Sequence, residues 1–185
     1  SKQLEKTIAF FKKQIKESKQ QIAEHINRND EVKRKVTQIC KIKGVDTLTV
    51  ATILAETNGF ELFKNQSQLI SYAGYDVIEN QSGNHIGKTR ISKKGNSRIR
   101  RILHMPAFSV VTHKEPIFLN LYERIYSKTK LKMKAYVAVQ SKLLVIIYSL
   151  WKKDEEYNKD YHPKTTSGND ESRGLFRLSA EINDE

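Results

Sequence analysis

Along the first forty residues apolar side chains return at alternating steps of three and four. Leu4, Ile8, Phe11, Ile15, Ile22, Val32, Val36 and Ile39 form the seam, with Ser18, His25 and Asn29 filling the positions between them. That is the period of a coiled coil with a polar interruption. The run Asn27-Arg28-Asn29-Asp30 suits a helix stop and a new N-cap, so the pattern predicts one long helix to about Arg28 and another from about Glu31. A narrow seam flanked by Lys, Glu and Gln points to association between chains or to a spacer. The alternative is an amphipathic helix packed on its own domain.

Further along, IKGVDTLTVATILAE (residues 42–56) reads as a helix-hairpin-helix: a helix ending at Lys41 to Lys43, a tight turn at Gly44-Val45-Asp46, and a second helix from Thr47. Gly44 tolerates the positive φ of such a turn, and amides freed at the second helix could hold a phosphate. Asp46 stands where such hairpins usually carry a second glycine, and its carboxylate can cap the helix instead. An ordinary αα-hairpin of the core explains the stretch equally well. Ser67 is expected to cap a short helix, QLISYAG, stopped by Gly74. Residues 75–96 lack helical period and carry Gly83, Gly87 and Gly95, so they read as a long loop or short β-hairpin. Asn96 and Ser97 can cap a helix, RIRRILHMPAFSVVTH, that Pro106 should kink. Two more helices are expected at about Pro116 to Lys128 and Leu131 to Lys153, and after Tyr157 a polar, disordered tail. The fold class is thus all-α, in three parts: a coiled-coil segment at 1–37, a helical domain at 38–153 and a tail at 154–185.

With 38% hydrophobic residues, the 185-residue chain can bury one sizeable core. The apolar run from Ala135 to Trp151 is broken by Gln140, Ser141 and Lys142, and no signal peptide is visible, so no membrane association is expected. The single cysteine, Cys40, fits a reducing cytoplasm. It and His25, His85, His104 and His113 are scattered without ligand spacing, so no metal site is expected from them.

The charge changes the picture. Net charge is +12, yet residues 154–185 hold nine acids against four bases, which leaves roughly +17 on the rest. From Asn80 to Lys114 there is no Asp or Glu, while Lys88, Arg90, Lys93, Lys94, Arg98, Arg100, Arg101 and Lys114 are cationic. A segment of one sign repels itself unless an anion is present, and nucleic acid is the first candidate. Three arginines in the first turn of the helix after Asn96 have the wrong sign for its dipole, which also asks for an anion there. SGNHIGKT in this segment looks like a phosphate-binding P-loop, but counting back from Gly87 across the motif's intervening residues lands on Ser82, where a P-loop needs glycine, and no apolar strand precedes it. The nucleotide reading fails.

Four motifs in order, IxxIKGVxxxTVATILAE, FxNxSQLISYAGY, SGNHIGKTRISKKGNSRIRRIL and KAYVAVQSKLLVIIYSLW, resemble the C-terminal domain of the IS-one-ten-type insertion-sequence transposases, which are RNA-guided DNA recombinases bearing a catalytic serine. The resemblance covers roughly Gln38 to Lys153, after a coiled coil. It implies a serine that attacks a DNA phosphodiester and leaves a covalent protein–DNA link. Ser82, in the Ser-Gly position, is the expected nucleophile; Ser92 is its competitor, and Ser97 is already explained as a cap. The resemblance also implies binding of DNA and of a guide RNA, with Gly44, Lys88, Arg90, Lys93, Lys94, Arg98, Arg100 and Arg101 as the contacts expected from the residues. Localisation is expected to be the prokaryotic cytoplasm, at the nucleoid. The family's other half is RuvC-like and holds magnesium in an acidic cluster. No such cluster stands in this sequence, so the chain is expected to lack that half, to need no cofactor itself and to be inactive alone. Association through the N-terminal helix is expected to give a homo-oligomer. A non-enzymatic nucleic-acid-binding and oligomerisation module is the alternative.

Overall fold

The computed structural model describes residues 2–78, 81–82, 85–86 and 90–158, with side chains for 2–78 and 90–158. The expected disordered tail lies almost wholly outside them. The described residues are mostly helical, as the sequence predicts. Helix α1 (Lys2–Asn27) buries no residue along its length. Asn29 then caps α2 (Asp30–Ile39), its side chain accepting from the amides of Glu31 and Val32. The break falls where the Asn-Arg-Asn-Asp run places it.

The seam divides at this break. In α1, Leu4, Ile8, Phe11 and Ile15 are 46–65% exposed, whereas Val36 and Ile39 of α2 are buried in the core. The α2 half is therefore the amphipathic helix packed on its own domain, while in α1 the seam from Leu4 to Ile15 is an apolar stripe in water and the end of the helix, with half-buried Ile22 and Ile26, packs toward the domain. Arg34 holds Asp154 with two bonds of 2.8 and 2.6 Å, Lys41 pairs with Glu156 at 2.8 Å, and the Lys35 ammonium lies 5.3 Å from the Trp151 ring. These contacts fasten α2 to the end of the last helix and to the segment following it.

Helix α2 ends at Ile39, earlier than the sequence suggests. Turns carry the chain through Cys40–Gly44, where φ at Gly44 is +98°. Helix α3 (Thr47–Thr57) begins as expected, and Asp46 caps it: its carboxylate accepts from the Thr49 amide at 2.8 Å and from the Thr49 hydroxyl. Helix α4 (Gln66–Ala73) is capped by Asn65, not Ser67, because an extended Asn65 can reach the Gln68 amide while Ser67 is already inside the first turn. Gly74, with φ +75°, closes it as predicted.

The segment that follows is the short β-hairpin. Strand β1 (Val77–Ile78) pairs antiparallel with β4 (Arg90–Ile91), and β2 (Gln81–Ser82) pairs with β3 (His85–Ile86). Pro106 does more than kink the next helix. Lacking an N–H, it cannot bond to the carbonyl of Ile102 and would clash with it, so the chain breaks at Leu103 into α5 (Ser97–Ile102) and α6 (His104–Thr112). Helices α7 (Pro116–Thr129) and α8 (Lys132–Lys153) match their expected ranges.

Helix α8 is the core of the molecule. It touches α2, α4, α6 and α7 and buries Ala135, Val139, Leu143, Leu144, Ile147 and Tyr148. By length and composition it could cross a membrane, but 56% of the relevant window is buried inside the molecule. Phe60 meets the Tyr148 and Trp151 rings at 5.4 and 6.5 Å. At the far side of α8, the Tyr157 hydroxyl donates to buried Glu115 at 3.1 Å, and burial first, with the Glu115 charge second, pushes that phenol above its ordinary range.

Candidate nucleic-acid interface

The hairpin rises from a narrow neck. On its outgoing side Gly74 ends α4 and Tyr75 is buried; on its returning side Ser92 to Asn96 lead into α5. Three backbone bonds close the neck: the Ser92 amide to Asp76 O at 2.7 Å, Lys93 to Gly74 O at 3.1 Å, and Asn96 to Tyr72 O at 2.7 Å. The Arg100 guanidinium locks it from below, donating to Ala73 O at 2.6 Å and Lys93 O at 3.1 Å. No side chain fits at Gly95, where a Cβ would strike the Tyr72 carbonyl and lie 2.7 Å from the Gly74 nitrogen. Buried Tyr75 ties the neck to α8 by donating to Gln140 Oε1 at 3.0 Å, and Gln140 Nε2 lies 3.2 Å from His104 Nδ1. Burial raises the Tyr75 phenol well beyond its ordinary value, so it remains a donor at any ordinary pH.

The two ladders differ in register by one residue. Val77 faces Ile91 and Ile78 faces Arg90, whereas Gln81 faces Ile86 and Ser82 faces His85. Along the chain, residues 79–80 separate the ladders on the outgoing side and residues 87–89 on the returning side. Only Gly83 and Asn84 separate Ser82 from His85 along the chain, so Ser82 stands at the closed end of the hairpin. Lys88 and the side chain of Ser82 lie outside the described residues.

Of the other sequence-predicted residues, Arg90, Lys93 and Lys94 are exposed around the neck. Lys94 also borders an open cleft of about 550 Å³ lined with Gln68, Ser71, Tyr72, Gly95 and Asn96. Ser92, the competing serine, has a buried hydroxyl with no hydrogen-bond partner among the described residues. Ser97 does not cap α5; Asn96 does, accepting from the amides of Arg98 and Ile99.

The three arginines separate by role. Arg98 pairs with Glu56 at 2.9 Å, and Asn96 donates to the other oxygen of the same carboxylate at 2.7 Å. The Asn96 bond first, and Arg98 second, hold Glu56 below the usual carboxylate range. The anion that the α5 dipole asked for is thus at least in part supplied from within, by a residue 42 positions away that no local pattern reveals. Arg100 is spent on the neck. Arg101 is exposed and has no ion pair among the described residues. Replacing Arg101 with Gln should flatten the salt dependence of duplex binding by about one unit of log–log slope. Arg100→Gln should instead lower stability by about 1–3 kcal/mol, since it removes charge-assisted bonds to two carbonyls. Salt-titrated fluorescence anisotropy and thermal unfolding of both variants separate the two roles; an unchanged slope for Arg101→Gln removes that residue from the interface.

Gly44 is accounted for within the fold. A Cβ there would fall 2.5 Å from Ser109 Oγ on α6, and the Asp46 carboxylate accepts from one α3 amide, that of Thr49, so a phosphate held at Gly44 would share the helix start with that carboxylate. Among the described residues no three His, Cys, Asp or Glu side chains gather as a metal-ligand group.

Residues 36–123, which hold the turn, the neck and the hairpin, match the Transposase IS116/IS110/IS902 family. Two curated relatives, the pilin gene-inverting proteins of Moraxella bovis and Moraxella lacunata, are each 28% identical over 156 residues, 84% of this chain and 48% of their own length. The chain thus spans about half the length of the curated relatives it matches.

Proposed function

We propose that the chain, whose residues 36–123 match the Transposase IS116/IS110/IS902 family, is the DNA-binding C-terminal part of a transposase or recombinase of that kind, with Ser82 as the nucleophile in strand exchange. The observation that carries this reading is the hairpin on its locked neck, which sets Ser82 at a closed tip above exposed Arg90, Lys93 and Lys94. A protein that inverts a gene, as the Moraxella relatives are named for doing, must break and rejoin DNA, and that class of chemistry suits such a tip.

In the proposed step the Ser82 oxygen bonds to a backbone phosphorus as its proton leaves to an acceptor. The bond from phosphorus to the leaving strand's oxygen breaks, and that oxygen takes up a proton. The charge on the transferring phosphoryl group needs a cation beside it, while exposed Arg90, Lys93 and Lys94 at the neck suit neighbouring phosphates of the same DNA. Magnesium belongs to the acidic half expected from the family; the described residues offer it no ligand group, and no step here runs through it. Reconstitution with an intact metal-binding half, a guide RNA and labelled target DNA should give a protein–DNA adduct on a denaturing gel. Absence of the adduct with wild-type protein, where DNA binding persists, favours the alternative of a non-enzymatic binding module.

Association through α1 belongs to either reading. Leu4, Ile8, Phe11 and Ile15 form a stripe in water at coiled-coil spacing, and a second α1 covers such a stripe. Phe11→Glu with Ile15→Lys should shift the sedimenting species of the chain toward monomer; a wild-type chain that is already monomeric at micromolar concentration rejects the association.

A further inference from the structure

A second cationic surface lies outside the hairpin and its neck. Lys128, Lys130, Lys132 and Lys134 crowd the corner between α7 and α8, all exposed and none in an ion pair among the described residues. Between Pro116 and Lys153 the sequence has one acid, Glu123, against eight cations. Lys132 and Lys134 sit in the first turn of α8, where the helix dipole disfavours positive charge and no acid answers it. Deeper along the same helix pair, burial first and Arg124 second hold Lys142 below the usual lysine range. Lys128, in the last turn of α7, suits that helix's dipole, but among the described residues no acid pairs with Lys130, Lys132 or Lys134.

One helical turn along α8 from Lys132, Tyr136 joins a row of aromatic rings. His104 of α6 meets Gln140 of α8, and one turn further Phe108 meets Tyr136, so the two helices run antiparallel. The ring of Phe108 lies 5.3 Å from Tyr136, Tyr136 lies 4.8 Å from Tyr122 of α7, and Tyr122 lies 5.9 Å from Tyr126. The row reaches the surface at Phe108, 49% exposed and one turn from Met105 at 67%, while Met133 at 58% stands one turn from Tyr136 on α8. A ring row inside a helix pair is ordinary packing; its exposed end, one ring from the turn that carries Lys132, is not. Duplex DNA uses the lysines only, because its bases are stacked on each other. An unpaired strand uses both, with phosphates on cations and bases on apolar faces.

The geometry points to the α6–α7–α8 corner as a docking surface for an unpaired polynucleotide strand, with Lys128, Lys130, Lys132 and Lys134 on its phosphates and Phe108 beneath a base. This rests on the reading of the chain as a nucleic-acid-binding protein, but it uses residues separate from the hairpin.

The test is anisotropy of the full chain with labelled 20-mers of oligo-dT, oligo-U and a DNA duplex, each titrated with salt. Replacing the four lysines with Gln should reduce the single-strand slope by about 0.7 for each phosphate left without its cation. Phe108→Ala should weaken single-strand binding roughly tenfold and leave duplex binding unchanged; circular dichroism of each variant verifies the fold. Comparable weakening on oligo-dT and oligo-U means a surface for either strand, and weakening on one alone identifies RNA or DNA as its occupant. Unchanged single-strand affinity and slope in the lysine variant overturn the proposal. So does equal weakening on duplex and single strand with no effect of Phe108→Ala, which makes the corner a duplex contact. A Phe108→Ala change confined to sedimentation makes the face a protein contact and overturns it as well. Arg101→Gln, measured on duplex in the same series, reports on the hairpin-side reading independently, so failure of one does not pass for failure of the other.

Discussion

Ser82→Ala, in protein reconstituted with the metal-binding half, guide RNA and target DNA, is expected to abolish the covalent protein–DNA adduct while folding and DNA binding remain nearly intact. No residual route is expected through Ser92. Its hydroxyl is buried with no partner among the described residues, and its amide is committed to Asp76 O at the neck. Ser92→Ala should therefore retain adduct, and replacing an unsatisfied buried hydroxyl with a methyl-sized group should cost little stability. Adduct formed by Ser82→Ala but lost in Ser92→Ala would transfer the nucleophile to the second serine, and would require the neck to open during the reaction. The readout is a denaturing gel of labelled DNA, with anisotropy as the control for binding.

The second large effect is expected from Gly95→Ala. The added carbon would run into the Tyr72 carbonyl and lie 2.7 Å from the Gly74 nitrogen and 3.1 Å from Ala73 C. These are backbone atoms, which cannot swing aside as a flexible side chain can, so the two legs of the hairpin must separate. A loss of about 1–3 kcal/mol is expected, seen as several degrees in Tm for a chain of this size, together with loss of the adduct. Gly59→Ala is the comparison: φ there is +62°, but no atom lies within 4 Å of the added carbon. It carries the backbone cost without the collision, and it should keep the adduct. Equal behaviour of the two variants in thermal unfolding and in the adduct assay would mean that the neck is not what positions the hairpin.

The helices were legible because their signals are local. The coiled-coil period of α1, the Asn29 cap, the start of α3 at Thr47 and the Gly74 stop are each written within a few residues. Misses arose where two local candidates competed. Asn65 lies at the distance from a free amide that Ser67 does not, and Pro106 forces its break at Leu103, one turn before itself. The hairpin was legible as an alternative to a loop, since glycines and the absence of helical period exclude a helix without specifying which strands pair.

By itself the sequence determined the order of the helices, the acid-free stretch from Asn80 to Lys114 and the family likeness over residues 36–123. Only the tertiary structure decided which charges are free. Arg98 is answered by Glu56 and Arg100 by Ala73 O and Lys93 O, while Arg101 and the α7–α8 lysines stand without ion pairs among the described residues. The same holds for the burial of the Ser92 hydroxyl and for the aromatic row assembled from three helices. The physical reason is range. Periodicity and capping act over one or two helical turns, whereas an ion pair or a ring contact joins residues that are neighbours only after the helices have packed.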